Sequence, residues 1–297
     1  MPNPRFLRTA ERWMNKEIPE IHPKAQPKVS PISISHSSFS IDDILKGKTF
    51  YSNEQDNGKY IGVPVALQQA LEYATNSGIV ATMPELIAAK VKADKTHDFW
   101  KQWYTVHTEE NIGIDKKGRF YAKNKPILAV VNGGGILTPE RIKQAYSEGL
   151  IDHSAKYTDE EFDSLLDGKL PDGSSLKFYT IEDIKKGISN LPHRFGVVMP
   201  YELAQKTESK QYQNEQFLEN PLVIARNGGL ENLESYFEKA KDDDGLGNWH
   251  VYKDRDASVP QGRLLYLVSN FDGLDGDLSL DNLGRFVGVA PEARAKK

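Results

Sequence analysis

Two short apolar runs in the chain are each followed by glycines and then by a helical pattern. Residues 127–131 (ILAVV) lead into an Asn-Gly-Gly-Gly loop, and residues 222–225 (LVIA) lead into an Arg-Asn-Gly-Gly loop. An apolar run of this length bounded by glycine predicts a buried strand. Thr138-Pro139 after the first loop, and the spacing of apolar residues after 230, predict the helices that follow. The pattern therefore predicts the same strand–turn–helix unit twice.

The two glycine loops form the candidate ligand site. A turn that opens a helix exposes unpaired backbone N–H groups at the positive end of the helix dipole, so it can hold an anion. Arg226 would add a guanidinium for a phosphate or carboxylate. Neither loop has the spacing of a Walker or dinucleotide-binding motif, and the alternative is that each makes only a tight connection. The candidate binding residues are Asn132, Gly133, Gly134, Gly135, Arg226, Asn227, Gly228 and Gly229.

The remaining pattern predicts an α/β (or α+β) fold with a mixed sheet, flanking helices and a strand-rich C-terminal part. A hairpin turn is predicted at residues 115–118, and Thr158 with Glu161 fits a capping box that begins a helix. Strand-like runs at 264–268 and 285–289 are separated by turns rich in Gly and Asp. Helices and strands that alternate before a strand-rich end are typical of a mixed sheet. We expect one domain over residues 40–297.

Residues 1–39 differ from the rest of the chain. Over residues 5–16 apolar residues recur at helical spacing, with basic residues around them, and a segment rich in Pro and Ser follows. This pattern predicts a basic amphipathic helix on an extended N-terminal arm. The helix would dock on a membrane surface, on a partner or on its own domain, and an arm of this kind favours self-association into an oligomer.

Composition excludes several functional classes. The chain of 297 residues has a net charge of −4, which does not favour nucleic acid as the partner. It contains no cysteine, so disulfides, zinc thiolates, iron–sulfur clusters and cysteine nucleophiles are excluded. No apolar run has the length of a transmembrane helix, and the N-terminus lacks the apolar core of a secretion signal. A cytoplasmic location is the expectation.

An acid-rich turn near the C-terminus is a candidate site for a divalent cation. Asp275, Asp277 and Asp281, with Ser279 between them, follow the spacing with which an EF-hand loop begins. Phe286 then occupies the place of the bidentate glutamate, so the match stops there. Calcium or magnesium is the predicted ion, and a plain solvated turn is the alternative.

Histidines offer two further candidates. His107 precedes Glu109 and Glu110 and could supply an acid or a base. His193-Arg194 precedes a predicted strand, with the same ambiguity between a functional group and a surface turn. No catalytic signature of a known hydrolase or kinase type occurs, so enzymatic activity stays open.

Two functions follow from these patterns. The first is binding, with or without turnover, of a small molecule that carries phosphate or carboxylate, at the two glycine loops. The second is a structural or assembly protein whose N-terminal arm docks on a neighbouring subunit. The first predicts a pocket at the strand ends, and the second predicts an oligomer that depends on residues 1–39.

Overall fold

The computed structural model describes residues 39–188, 191–240, 246–269 and 273–291. The described α-helices, α1 to α11, span Ile41–Leu45, Gly62–Ala74, Met83–Lys92, Asp98–Lys101, Pro139–Glu148, Asp159–Leu166, Ile181–Lys185, Tyr201–Lys206, Gln216–Glu219, Pro221–Asn227 and Glu231–Ala240. The described strands, β1 to β14, span Lys48–Ser52, Gln55–Asp56, Lys59–Tyr60, Ile79–Val80, Tyr104–Asp115, Lys125–Asn132, Ala155–Lys156, Phe178–Thr180, Phe195–Pro200, Lys210–Tyr212, Leu246–Trp249, Gln261–Val268, Gly273–Asp275 and Gly284–Val289. Short 3-10 turns cover Thr75–Ser77 and Tyr252–Asp254.

The larger sheet is mixed. Its strand order is β10-β11-β13-β12-β5-β6-β9-β8, with β7 paired to β12. The pairs β11–β13 and β8–β9 are parallel, and the other pairs of described strands are antiparallel. Helices pack around this sheet, and four described strands follow residue 245. The predicted α/β fold with a mixed sheet and a strand-rich C-terminal part is confirmed.

The hairpin of β5 and β6 lies at the centre of this sheet. β6 is buried from Ile127 to Asn132, because layers cover both of its faces. The predicted turn begins at Asp115, whose buried carboxylate accepts the N–H groups of Lys117 and Gly118 at 3.2 and 3.0 Å. This carboxylate fixes the turn and therefore the register of the two central strands.

A smaller sheet has the order β1-β14-β4, with both pairs antiparallel. Its middle strand, β14, comes last in the described sequence and lies between two strands from near the start. α2 packs against β14 at close range, since a Cβ on Gly284 would lie 2.4 Å from the Gly62 carbonyl oxygen. Glycine at 284 is therefore needed for this contact.

All described residues belong to one compact unit, residues 33–297. The amphipathic helix and the Pro/Ser-rich arm predicted for residues 1–39 fall on residues 1–38, which lie outside the described ranges. The arm, its docking and the boundary at residue 40 stay predictions.

Candidate functional site

The first glycine loop follows the central strand β6. β6 ends at Asn132, Gly133 and Gly134 have φ of 81° and 93°, and α5 begins at Pro139. Glycine adopts such positive φ without steric cost. The Gly134 position is also crowded, since a Cβ there would lie 2.7 Å from Cε1 of His107. Both the backbone angle and the packing therefore require glycine at 134.

The N–H groups at the end of this loop hold a carboxylate of the same chain. Glu109, on β5, is 0 % exposed. Gly135, Ile136 and Leu137 donate their backbone N–H groups to its carboxylate at 2.9, 3.0 and 2.9 Å. Burial raises the pKa of Glu109 to about 7, although the three N–H donors act in the opposite direction. Glu109 therefore fills the cradle that this part of the loop offers.

The other edge of the loop faces a histidine and an arginine. Nδ1 of His193 lies 2.8 Å from Oε1 of Glu85, and Nη1 of Arg194 donates to Oδ2 of Asp172 at 2.7 Å. Both side chains lie against the loop, since a Cβ on Gly133 would be 2.7 Å from Cγ of Arg194 and 3.1 Å from Cδ2 of His193. The side chains of His193 and Arg194 are 19 % and 20 % exposed, so solvent reaches this edge.

Glu85 fixes the orientation of His193. It lies in the first turn of α3, where the N–H and the hydroxyl of Thr82 both donate to its Oε2 at 2.9 Å. Burial would raise the pKa of Glu85, but His193 and Thr82 hold it below the ordinary value. A charged carboxylate at Nδ1 places the proton there, so Nε2 is the nitrogen that remains for other partners.

Three nitrogens at this edge make no hydrogen bond with the described part of the chain. The N–H of Gly134 has no acceptor there, and Nδ1 of His107 and Nδ2 of Asn132 are buried without a partner. Burial, together with the positive charges of His193 and Arg194, lowers the pKa of His107 to about 3, so its imidazole is neutral. We define the glycine-loop site as His107, Asn132, Gly133, Gly134, His193 and Arg194.

The second glycine loop has a different structure from the one expected. Residues 222–225 were predicted as a strand, but they lie in helix α10, so that prediction is wrong. Asn220 caps the helix by accepting the N–H groups of Leu222 and Val223 at 3.0 and 3.3 Å. Pro221 follows at the first helical position, which proline favours. Gly228, with φ of 71°, ends α10 as a left-handed cap.

Arg226 is buried in an internal network. Its Nε and Nη2 donate to the two oxygens of Glu110 at 2.7 and 2.9 Å, and both side chains are 0 % exposed. Its Nη1 donates to Oδ1 of Asn248 and to the carbonyl oxygens of Trp249 and Leu274 at 2.8, 3.0 and 2.8 Å. Arg226 thus links the parallel strands β11 and β13 near their carboxyl ends, and Glu110 balances its charge.

The two loops lie near the same end of the larger sheet. A Cβ on Gly228 would lie 2.6 Å from Cζ of Phe195, and Phe195 pairs with Asn132 across β9 and β6. Asn227 turns inward, donating from Nδ2 to the carbonyl oxygen of Gly229 at 2.7 Å. In the first loop Gly134 is partly exposed and its neighbours are buried, while the second loop is used in packing and capping.

The acid-rich turn brings two of its three candidate metal ligands together. The N–H of Asp277 donates to Oδ1 of Asp275 at 2.8 Å, while Asp281 accepts the hydroxyl of Ser279. Burial and the nearby Asp277 raise the pKa of Asp275 well above its ordinary value. Within the described ranges no group of three or more His, Cys, Asp or Glu residues could hold a metal ion. The calcium or magnesium site stays a prediction.

The sequence did not reveal the roles of two residues that organise the site. Glu109, a candidate acid or base, accepts three backbone N–H groups at the end of the loop. Glu85 orients His193 from α3. The only sequence signal for Glu85 is its position three residues after Thr82, the spacing of a capping box.

No helix in the described ranges is long and apolar enough to cross a membrane.

Comparison with known proteins identifies the type of fold. No protein-family model and no curated protein matches the chain. A solved structure matches with a TM-score of 0.61 and 27 % identity. Its description concerns how the C-type lectin fold accommodates massive sequence variation in Nanoarchaeota. The match covers 82 % of this chain and 97 % of that one. This chain is therefore similar in fold to a C-type lectin-fold protein of Nanoarchaeota.

Proposed function

We propose that this chain is a binding protein that takes the phosphate or carboxylate group of a small molecule at the glycine-loop site. The observation that carries the proposal is the Gly134 N–H, which has no acceptor among the described residues and lies in a loop covered by His193 and Arg194. A backbone N–H, an imidazole and a guanidinium are the groups that bind oxyanions in proteins.

The charges at the site support an anion as the ligand. Glu85 occupies Nδ1 of His193, so Nε2 is the ring nitrogen that an anion would contact. Arg194 shares its charge with Asp172, whose side chain is 41 % exposed and can give way to a ligand. The neutral His107 beneath the loop adds no charge of its own.

The similar structure from Nanoarchaeota supports a binding role on this scaffold. In that protein the C-type lectin fold accommodates massive sequence variation. A fold that tolerates variation keeps its core and changes its surface groups, and binding residues are commonly placed on loops at the ends of a rigid sheet. The alternative assembly function rests on the N-terminal arm, and no contact among the described residues bears on it.

The test is calorimetric titration of the full chain with inorganic phosphate and with acetate. We expect one of the two to bind, and Arg194→Met to weaken it by about tenfold or more, since a charge-assisted hydrogen bond is lost. Arg119→Met is the matched control, because Arg119 pairs with Asp115 at the turn of the β5–β6 hairpin, the end opposite to Asn132. The absence of heat with either anion at millimolar concentration, or an equal loss in both variants, would overturn the proposal.

A further inference from the structure

A second site is suggested by the tryptophan at the end of β11. Trp249 is half-buried, and its indole lies over Gly247 of its own strand and Gly273 of the neighbouring strand β13. A Cβ on Gly247 would be 2.4 Å from its Nε1, and a Cβ on Gly273 would be 3.3 Å from the same atom. Because glycine has no side chain, the indole packs directly on the backbone at both positions.

The strand register explains why these groups share one face. Trp249 is paired with Asp275 across the parallel strands β11 and β13, and Gln211 is paired with Gly247 across β10 and β11. Paired residues of neighbouring strands point to the same face of a sheet. The face therefore carries an indole on a glycine floor, flanked by an amide and a carboxylate. We call Gln211, Gly247, Trp249, Gly273 and Asp275 the indole shelf.

The backbone of the shelf is held rigidly from within. Arg226 donates to the carbonyl oxygens of Trp249 and Leu274, the residues at which β11 and β13 approach their ends. The N–H of Gly276 also donates to the Trp249 carbonyl at 2.9 Å. A ring fixed before binding loses little conformational freedom when a ligand stacks on it.

The charge beside the indole selects the ligand. Asp275 is paired with Trp249, and the partly exposed Asp277 donates its N–H to the Asp275 carboxylate. Carboxylates beside the ring attract a cation, and an indole face also attracts cations, guanidinium groups in particular.

We propose that the indole shelf binds the guanidinium group of an arginine, stacked on Trp249 with Asp277 as its counter-charge. The shelf is separate from the glycine-loop site, and the inference does not rest on the proposed function. Its ligand is a cation, whereas the glycine-loop site takes an anion, so the two sites are tested with different probes.

The probe is N-acetyl-arginine amide, titrated into the full chain and followed by tryptophan fluorescence and by calorimetry. We expect binding in the millimolar range, which is typical of one small fragment. N-acetyl-citrulline amide has nearly the same shape without the charge and should bind at least tenfold more weakly. Free arginine is compared with the amide: tighter binding of the amide identifies a peptide side chain as the source, and tighter binding of the free form identifies the amino acid.

Three variants separate the shelf from the rest of the fold. Trp249→Phe reduces the stacking surface, Gly247→Ala lifts the indole and Asp277→Asn removes the counter-charge, and each should weaken the arginine probe several-fold. Tyr73→Ala is the matched control, since Tyr73 is an exposed aromatic residue, 39 % exposed, on α2. Thermal unfolding identifies any variant that does not fold. Equal binding of the arginine and citrulline probes, or unchanged binding in all folded shelf variants, would overturn the proposal.

Discussion

The buried pair of Arg226 and Glu110 permits a quantitative test. Arg226→Met keeps the volume and removes the guanidinium, which leaves the fully buried Glu110 carboxylate without its counter-charge. Loss of one partner of a buried pair costs about 3 to 5 kcal/mol. The carbonyl oxygens of Trp249 and Leu274 also lose a donor, so we expect the upper end of that range, about 5 kcal/mol.

The assay is urea unfolding at pH 7, followed by circular dichroism, with the slope of the transition checked for constancy. A loss of that size would remove a large part of the stability of an ordinary domain, about 5 to 15 kcal/mol. Lys92→Met is the control, because Lys92 and Asp42 form an ion pair whose side chains are 52 % and 45 % exposed. Such a surface pair contributes about 0 to 1 kcal/mol.

A second variant separates the uncompensated charge from the lost packing. If the buried charge causes most of the loss, Arg226→Met combined with Glu110→Gln should recover at least about 2 kcal/mol relative to Arg226→Met alone. A loss below about 1 kcal/mol for the single variant, or a double variant no more stable than the single one, would refute the reasoning.

Three smaller perturbations test other parts of the fold. Asn220→Ala removes the acceptor for two N–H groups of α10 and should cost about 1 kcal/mol in thermal unfolding; an unchanged midpoint would contradict the cap. Gly228→Ala places a Cβ in left-handed backbone and 2.6 Å from the ring of Phe195, so we expect a loss of about 1 to 3 kcal/mol in urea unfolding. The pKa of Glu109 is raised from 4.5 to about 7, so the folded state holds a proton that the unfolded state has lost. Its stabilising effect is full below pH 4.5 and is lost as the pH rises through 7, by up to about 3 kcal/mol. Glu109→Gln should flatten that loss, and parallel profiles of the two proteins between pH 5 and 8 would refute the assignment.

Local signals in the sequence predicted several elements correctly. The Thr158–Glu161 capping box begins α6, with the hydroxyl of Thr158 accepting the N–H of Glu161 at 3.1 Å. The runs at 264–268 and 285–289 are strands within β12 and β14. These elements are determined by a few neighbouring residues, so a local sequence pattern is enough to predict them.

The run at 222–225 shows where a pattern is ambiguous. Four consecutive apolar residues fit a buried strand and a buried helix equally well. The signals that decide are Asn220 and Pro221, an N-cap followed by the first helical position. A prediction that weighs these two residues before the apolar run would favour the helix.

The site depends on pairings that no local pattern contains. Glu109 and Glu110 are neighbours in β5, and alternation along the strand sends them to opposite faces. Glu109 meets the loop that begins at Gly135, and Glu110 meets Arg226. Their different roles follow from the tertiary structure, and the sequence offers only two adjacent acids.

The position of β14 also has a consequence for synthesis of the chain. β1 and β4 both pair with β14, which lies more than two hundred residues later in the sequence than β1. At the usual rate of translation, β1 waits roughly 10 to 50 s for its partner strand to be made. During that interval the backbone N–H and C=O groups of β1 lack their native partner and can pair with other chains, so this early segment is exposed to aggregation until β14 has been made.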